Sequence, residues 1–440
     1  MKAQAFPYLV ETPSPSPAAG RRALKAFLSG DGVFAALEAL HSEMGDVFRI
    51  PLPGFSPVVL VGPEANRFVA VTGREDLLWR AEQDPVTRLL HEGLLVTDGE
   101  LHDELRRQIS PALHKQALYS YVESMQRQTD RVTQSWQDGE QRDMLVEMRE
   151  IALLILFDTL FGVDFQDDLR RLWPDILKTL QFISPGPWLV FPGLPRPGYH
   201  RALRRMDQYL HELIDGRRRR SSASPDLLSS LLDSGMPAGR IRDQLLTLLI
   251  AGHDTSTALL AWTLFLLGSH PADMARLSAE VDLVLGKQNE PASVEQIEGL
   301  RFLDQVIQES LRLYPPVHLG SRIAARDLVF QGYRIPAGTR VMYSIYLTHR
   351  MGRYWPEPQR FLPERFTPEN NRKRPHYTYL PFGGGSRNCI GLGFARLEVK
   401  IVLARLLQTF DLNLLDDQVY AHMGATLEPR PGVWMSAFRR

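Results

Sequence analysis

The segment that most constrains this chain is residues 382–393, a glycine-rich run around Cys389, which is the only cysteine among 440 residues. A single cysteine excludes a framework of intrachain disulfides and agrees with a reducing compartment. After it, apolar side chains recur at helical spacing and predict a helix with one buried face. They are Phe394, Leu397, Ile401, Ala404 and Leu407. The sequence thus places Cys389 at the start of a helix.

That position favours an anion, because the first turn of a helix carries unpaired N–H groups and the positive end of the dipole. We therefore expect Cys389 to be poised as a thiolate, which is the form that ligates metals. The glycines on either side let the backbone turn sharply and approach a flat partner closely, and Arg387 adds a cation beside it. These features predict a sulfur ligand beneath a planar cofactor.

The spacing Phe-x-x-Gly-x-Arg-x-Cys-x-Gly, filled here by Phe382, Gly385, Arg387, Cys389 and Gly391, resembles the haem-binding loop of the cytochrome P450 monooxygenases. The resemblance implies that Cys389 is the axial ligand of a haem b iron, whose thiolate favours O–O cleavage. It implies that the other motif residues shape the cofactor site. Without this motif, a single cysteine would more often be an inert, buried residue. A cysteine hydrolase would need a histidine in a recognisable hydrolase context, and none is found. A phosphate-binding loop would need Gly-Lys-Ser/Thr after the glycines, and that run is missing.

A second motif lies within residues 241–267, which predict a long helix. At its centre Ala251-Gly252-His253-Asp254-Thr255 interrupts the apolar pattern, and the Thr255 hydroxyl can bond the carbonyl of Ala251 four residues back and bend the helix. The groove could hold dioxygen, with Asp254 and Thr255 as acid and alcohol for proton relay. The run resembles the Ala-Gly-x-Asp/Glu-Thr motif of the same family, which implies those catalytic roles and places Ala251 at the haem. His253 is given no chemical role.

Three further residues are assigned to the cofactor by the same resemblance. His102 and Arg106 are four residues apart and share one helix face. Without the resemblance, this spacing would indicate a solvated basic face. The family directs such a pair, together with an arginine at the place of Arg322, toward a haem propionate. Cationic groups on one face can hold a carboxylate that is costly to bury alone.

Other motif residues have structural or substrate-binding assignments. Glu309, Arg312 and Arg365 resemble the Glu-Arg-Arg network that locks the family's core behind the cysteine loop. Apolar residues beside the motifs are expected to line the substrate pocket. They are Leu89, Leu90, Leu94, Leu95, Phe182, Trp188, Phe191, Ala251, Val317 and Leu319.

Composition points away from several other classes of protein. Lys and Arg number 51 and Asp and Glu number 51, so no net charge favours nucleic acid as a partner. The most apolar run, residues 245–268, approaches the ~20 residues of a membrane span, but polar residues at its centre argue against an anchor. Residues 1–20 lack a signal pattern and predict an irregular Pro/Ser-rich lead-in. We expect a cytoplasmic protein of the soluble bacterial type.

The fold expected is mainly α with small β sheets. Two hairpins are predicted, one from residues 47–50 and 58–61 and the other from residues 328–330 and 333–335, whereas helical periodicity dominates elsewhere. The resemblance implies the cytochrome P450 fold, with haem between the long central helix and the cysteine loop. We expect a single haem-thiolate domain over residues 1–440.

The function implied is insertion of one oxygen atom from O2 into a hydrophobic substrate, by hydroxylation or epoxidation of a fatty acid or terpenoid-like molecule. Electrons would come from NAD(P)H through separate partners, a ferredoxin or a flavodoxin/flavoprotein reductase, docking near Arg387, Arg396 and Lys400. We expect a monomer. A peroxide-driven haem-thiolate peroxygenase and a non-enzymatic haem sensor or carrier remain the alternatives.

Overall fold

The computed structural model describes residues 10–28, 32–186, 196, 198–220, 226–286 and 291–440. Most of these residues are helical. The helices are Pro17–Ala26 (α1), Gly32–Met44 (α2), Pro63–Arg67 (α3), Pro85–Leu90 (α4), Gly99–Ile109 (α5), Lys115–Ser120 (α6), Val122–Thr133 (α7), Met144–Leu160 (α8), Gln166–Ile183 (α9), His200–Arg220 (α10), Leu227–Asp233 (α11), Ala238–Ser269 (α12), Pro271–Leu285 (α13), Val294–Gly299 (α14), Arg301–Leu313 (α15), Ile345–Thr348 (α16), Pro368–Lys373 (α17) and Leu392–Thr409 (α18).

The β structure is confined to short strands in small sheets. The strands are Val10–Glu11 (β1), Val47–Arg49 (β2), Val58–Val61 (β3), Leu77–Leu78 (β4), Glu140–Asp143 (β5), Leu319–Ala324 (β6), Leu328–Phe330 (β7), Tyr333–Ile335 (β8), Arg340–Ser344 (β9), Phe410–Leu414 (β10), Tyr420–Met423 (β11), Leu427–Arg430 (β12) and Trp434–Arg439 (β13). The largest sheet has the order β2-β3-β9-β6-β4, and the others are β1-β8-β7, β10-β13-β5 and β11-β12. Both predicted hairpins are confirmed, as the antiparallel pairs β2–β3 and β7–β8.

Helix α12 is the centre of the molecule. It is the one described helix that is long and apolar enough to cross a bilayer, and 83% of its most apolar window is buried within the protein. Burial on nearly all sides explains its near-continuous apolar sequence, because such a helix has no solvent face to cover. It packs against α8, α10, α15 and α18. The predicted helix over residues 241–267 is confirmed and extends slightly beyond both ends.

The expectation of an irregular lead-in over residues 1–20 is wrong from residue 17 onward. Helix α1 begins at Pro17, and the Ser16 hydroxyl caps it by accepting the N–H of Ala19 at 3.1 Å. A proline in the first turn and a serine N-cap both favour a helix start. Strand β1 precedes the helix and pairs with β8, and residues 1–9 lie outside the described part of the chain.

Candidate active site

The cysteine loop is held in a tight, glycine-dependent conformation just before helix α18. The N–H of Cys389 donates to the carbonyl of Phe382 at 2.8 Å and closes the loop. Gly383 and Gly385 have φ values of 69° and 65°, which side-chain-bearing residues rarely adopt. A Cβ at Gly385 would lie 2.1 Å from the carbonyl oxygen of Ala70. The loop therefore needs glycine at this position to pack against the neighbouring backbone.

The Cys389 side chain is exposed to a water-sized probe, yet burial raises the pKa of its thiol. Both observations fit a thiol that faces a recess within the protein rather than bulk solvent. The Gly391 N–H and the Arg106 charge lower this pKa, but less strongly. Helix α18 begins only at Leu392, so its dipole contributes little at Cys389. A coordinated metal would deprotonate the thiol outright.

Helix α5 connects to the cysteine loop through Arg106. Its guanidinium donates to the carbonyl oxygen of Asn388 at 2.9 Å and to the Asn388 side-chain oxygen at 2.7 Å. His102, one turn earlier, is buried, and its Nδ1 lies 2.9 Å from the Asp103 carboxylate. Burial is the main cause that lowers the pKa of His102. The solvated basic face suggested by spacing alone is therefore wrong for His102, which lies inside the protein.

Arg387 lies beside this pair and is anchored to the residue that precedes α5. Its guanidinium donates to Asp98 at 2.6 Å. The same carboxylate accepts the backbone N–H groups of Trp79 at 3.1 Å and Arg80 at 2.9 Å. Burial lowers the pKa of Arg387, and so does the nearby positive charge of Arg322. Asp98 therefore ties β4, α5 and the cysteine loop together.

Arg322 completes a group of cations around the loop, and its own environment is unusual. Its side chain is buried, with the guanidinium 4.1 Å from the centre of the Trp79 ring and 2.6 Å from the carbonyl oxygen of Ser321. No carboxylate pairs with it among the residues that the structure describes. Burial lowers the pKa of Arg322 more strongly than Tyr343 and the more distant Asp98 raise it. Because a buried charge without a direct ion pair is costly, Arg322 is suited to bind an anion from outside the chain.

The other side of the site is formed by helix α12. The Thr255 hydroxyl donates to the carbonyl of Ala251 at 2.7 Å, as predicted from the spacing. Ala251 is exposed and Thr255 half-buried, although most of the helix around them is buried. Gly252 allows close contact with α8, because a Cβ there would lie 2.5 Å from a methyl carbon of Leu156. The helix thus presents one accessible patch, a single turn in length, in the middle of the core.

Asp254 lies in a different environment from Thr255, and no hydrogen bond joins the two side chains. Its carboxylate is buried and accepts from Arg149 of α8 at 3.1 Å and from the Thr426 hydroxyl at 2.8 Å. Arg149 also donates to Glu428 at 2.8 Å. Sequence reasoning missed both partners of Asp254, since they lie more than a hundred residues away and no local pattern signals them.

Two further polar side chains near this segment have shifted pKa values. Ser256 donates to the buried carboxyl group of Glu398, which links α12 to α18. Burial raises the pKa of Glu398 to about 8, so its carboxyl group is mostly protonated at neutral pH. Burial lowers the pKa of His253 to about 3, and the ring is therefore neutral.

The residues predicted to line the substrate pocket divide into accessible and buried sets. Ala251 and Val317 are exposed and Leu319 is half-buried, which suits a lining role. The assignment of Leu90 to the pocket is corrected, because its side chain has no accessible surface. Leu89 and Leu94 are likewise buried in the core, Leu95 is half-buried and Phe182 packs against Tyr199. Trp188 and Phe191 lie outside the described residues.

The predicted structural network is brought together behind the loop. The fully buried Arg312 guanidinium donates to both carboxylate oxygens of Glu309 at 2.7 Å, and Arg365 donates to Glu309 at 3.3 Å. Arg312 also donates to the carbonyl oxygens of His349 and Pro358. The paired charges thus satisfy backbone groups in a segment that lacks regular structure.

The basic residues expected to dock a redox partner are only partly available. Lys400 is buried and paired with Asp304 at 3.0 Å, and Arg387 is bonded to Asp98. Both are therefore corrected as docking residues, because neither charge is free at the surface. Arg396 is exposed. A cleft of about 420 Å³ adjoins the loop on the α5 side. It is lined by Asp103, Arg106, Arg107, Ser110 and His114.

The residues of the site fit a haem group. An iron-porphyrin needs an axial ligand, room above it and partners for two propionates. The site offers an accessible thiol, an accessible patch on the facing helix and a cluster of cations with one unpaired guanidinium. Of the predicted cofactor residues, the structure places Arg387 close enough to His102, Arg106 and Arg322 for their charges to interact with its own.

Comparison with known proteins agrees with this geometry. The family model described as cytochrome P450 matches residues 13–431. A putative cytochrome P450 139 of Mycobacterium tuberculosis is 30% identical over 428 residues, covering 90% of this chain and 96% of that protein. The cyclooctat-9-en-7-ol 5-monooxygenase of Streptomyces melanosporofaciens is 33% identical, covering 75% of this chain and 74% of the enzyme.

A solved structure supports the same assignment at the level of the fold. The retinoic acid-bound cyanobacterial CYP120A1 superposes with a TM-score of 0.85 at 28% sequence identity, covering 98% of this chain and 100% of that chain. The family model accounts for nearly the whole chain, and the bacterial relatives match it over most of their own length. The chain therefore belongs to the cytochrome P450 family and is a haem-thiolate monooxygenase.

Proposed function

We propose that this monooxygenase inserts one oxygen atom from O2 into a hydrophobic terpenoid-like or fatty-acid-like substrate, with Cys389 as the axial ligand of a haem b iron. The observation that carries the proposal is the accessible thiol of Cys389 within a site that also contains a buried guanidinium without a counter-ion, that of Arg322. A haem satisfies both groups at once, since it offers iron to the sulfur and carboxylates to the cations.

The cofactor would be held by side chains from three parts of the chain. Arg322 would pair with a propionate, and His102 and Arg387 would contribute donors beside it. Arg106 supports the loop through Asn388 and adds positive charge. Phe382 and Gly391, with Ala251 on the facing helix, would pack against the porphyrin. When bound, the haem supplies the activation of dioxygen.

Two residues of α12, Thr255 and Asp254, would transfer protons to the site. Thr255 stands at the accessible patch, and its hydroxyl would have to turn away from the Ala251 carbonyl to donate into the site. Asp254 is the nearest carboxyl group in sequence, but Arg149 and Thr426 hold it in the core. Release from one of these partners would let Asp254 exchange protons with Thr255. The apolar residues of the pocket would exclude bulk water, which strengthens these interactions.

The substrate class is inferred from the lining and from the relatives. Val317 and Leu319 provide an apolar wall with accessible surface. One relative is named for the oxidation of cyclooctat-9-en-7-ol, and the similar solved structure binds retinoic acid. Both molecules are largely hydrocarbon. An apolar molecule of this kind gains free energy simply by leaving water for such a pocket.

Electron supply is proposed to come from NAD(P)H through a separate ferredoxin, flavodoxin or flavoprotein reductase. The cleft beside α5 offers Arg107 and His114 at the surface, and Arg106 in the same cleft contacts the cysteine loop. Exposed cations there favour an acidic partner. We further propose that residues 1–440 form one domain and that the enzyme is a cytoplasmic monomer.

The test compares Thr255→Ala with a matched control, Thr263→Ala. Thr263 makes the same hydroxyl bond to the carbonyl four residues back, at 2.7 Å to Leu259, but lies buried in the core. With reductant and O2, Thr255→Ala should yield about tenfold less product per NAD(P)H, because the proton donor is lost. With peroxide, both variants should retain turnover. Equal product yield from both variants with O2, or turnover only with peroxide in the unmodified enzyme, would contradict the proposal.

A further inference from the structure

A series of hydrogen-bonded charges connects Asp254 to the surface of the protein. Arg430 of β12 donates to one carboxylate oxygen of Glu428 at 3.0 Å. Arg149 donates to the other oxygen of Glu428 at 2.8 Å and to Asp254 at 3.1 Å. The exposed fraction of the side chain falls along this series, from 44% for Arg430 through 8% for Glu428 and 6% for Arg149 to 1% for Asp254. Of the two carboxylates, Glu428 therefore lies closer to solvent.

One nitrogen atom sets the spacing of the two carboxylates. Nη2 of Arg149 donates both to Oε1 of Glu428 and to Oδ1 of Asp254. Because both oxygens lie within hydrogen-bond distance of the same nitrogen, they are close enough to each other for a single water molecule to bond both. Such a water would join the carboxylate near the surface to the carboxylate on α12 without displacing Arg149.

Two buried nitrogen atoms beside these carboxylates have no hydrogen-bond partner in the described part of the chain. They are Nε of Arg149 and Nε2 of His253. The His253 ring lies close enough to Arg149 and Glu428 for their charges to act on it. Its Nδ1 bonds the carbonyl of Leu249, so Nε2 of the neutral ring is an acceptor. A buried water is held by about three polar groups, and this site offers two carboxylate oxygens, a donor and an acceptor.

We propose that Glu428 is the carboxylate through which protons from solvent reach Asp254, by way of a water held between the two carboxylates and His253. This inference rests on the proposed function, in which Asp254 supplies protons to Thr255. Glu428 takes a proton from solvent beside Arg430. The water accepts that proton and gives one of its own to Asp254, so each O–H bond that breaks is matched by one that forms. His253 is a positioning residue, because its Nε2 orients the water and does not carry the proton.

The experiment measures product formed per NAD(P)H and the rate of turnover by the haem-loaded enzyme, in H2O and in D2O. Glu428→Gln keeps the size of the side chain and an oxygen for Arg149, but an amide cannot take up and release the proton. With O2 and reductant, the rate should fall about tenfold and its solvent isotope effect should rise, whereas peroxide-driven turnover should be retained. Glu428→Asp keeps a carboxyl group and should recover most of the rate.

A positioning variant and a matched control accompany this variant. His253→Leu removes one partner of the water and should raise the solvent isotope effect too, with a loss of rate of about threefold. The control is Glu147→Gln on α8, where a glutamate that is 12% exposed pairs with Arg142 at 2.9 Å outside the series. It should change neither the rate nor the isotope effect.

Thermal unfolding shows whether each variant remains folded, and His253→Leu provides a second route if Glu428→Gln unfolds. A crystal structure of the haem-loaded enzyme gives a readout that is independent of activity, and it should show an ordered water bonded to both Glu428 and Asp254. The proposal is overturned if no water lies between them, if Glu428→Gln keeps the unmodified rate and isotope effect, or if Glu147→Gln loses as much. A full product yield in Thr255→Ala would instead contradict the proposed function, so the two failures are distinguishable.

Discussion

Two groups of polar and charged side chains, each partly buried, border the site, and they differ in how their charges are balanced. The first, which we call the relay cluster, consists of the buried residues Arg149, Asp254, Thr426 and Glu428 together with Arg430, which is exposed. Both of its carboxylates accept hydrogen bonds at both oxygens, including one from Arg430 to Glu428 at 3.0 Å. Two acidic and two basic side chains oppose one another. The charges of the relay cluster are thus balanced by residues of the chain itself.

The second group, the loop cluster, consists of Asp98, His102, Arg106, Arg322 and Arg387. Its one carboxylate is that of Asp98, which is half-buried and accepts from Arg387. Arg322 has no ion pair within the described part of the chain. The comparison shows that side chains whose charges balance one another hold each other in position. A group with excess positive charge is instead suited to bind an anionic group.

The largest effect should follow from breaking the relay cluster. Arg149→Met leaves Asp254 and Glu428 buried without their shared cation, so the free energy of unfolding should fall by about 3–5 kcal/mol. Chemical denaturation measures this loss. The control Arg171→Met removes an exposed ion pair with Asp168 and should cost less than about 1 kcal/mol. Equal costs for the two variants would show that the relay cluster is not a buried, coupled unit.

The loop cluster should respond in the opposite way. Arg322→Gln removes a buried charge without a counter-ion, so the haem-free protein should not lose stability, whereas haem affinity should fall about tenfold to a hundredfold. Haem transfer to a competing haem-binding protein measures the affinity. Arg326→Gln, at an exposed arginine paired with Asp76, is the control and should change neither quantity. Unchanged haem affinity with a less stable haem-free protein would make Arg322 structural.

Local patterns predicted the parts of this molecule that depend on near neighbours in sequence. The long helix α12, the bond from Thr255 to Ala251 and the glycine requirement around Cys389 all follow from backbone geometry over a few residues. The sequence could not predict the partners of Asp254, because Arg149 and Thr426 reach it only through packing of distant elements.

Burial also overturned two expectations about surface charge. Lys400 was expected at a docking surface, but it packs inside against Asp304. Arg387 was expected there too, but it donates to Asp98. Both errors arise because the sequence identifies a charged side chain without identifying what covers it. Exposure is a property of the tertiary structure, and neither charge nor periodicity encodes it locally.

The smallest effect concerns Glu398, which lies outside both clusters. Its pKa in the folded protein, about 8, exceeds that of an unfolded glutamate, so the folded state holds its proton more tightly. Stability should therefore fall as pH rises from about 4.5 to about 8. Glu398→Gln removes this dependence, so it should stabilise the protein at pH 8 relative to its effect at pH 5. Melting temperatures between pH 5 and 9 measure it.

The matched control is Glu369→Gln, at an exposed glutamate paired with Lys373. It should leave the pH dependence of the melting temperature unchanged. If Glu398→Gln instead destabilised the protein at every pH, the carboxyl group would be needed in its charged form, and the Ser256 hydroxyl would have to donate to a carboxylate.

The central claim is the bond between the sulfur of Cys389 and the haem iron, and the absorption spectrum of the reduced carbon monoxide adduct tests it most directly. The unmodified enzyme should show the long-wavelength Soret band of thiolate-ligated haem. Cys389→Ser should lose that band while still binding haem through the loop cluster. A spectrum that is unchanged in Cys389→Ser, or an unmodified enzyme that never shows the thiolate band, would contradict the account.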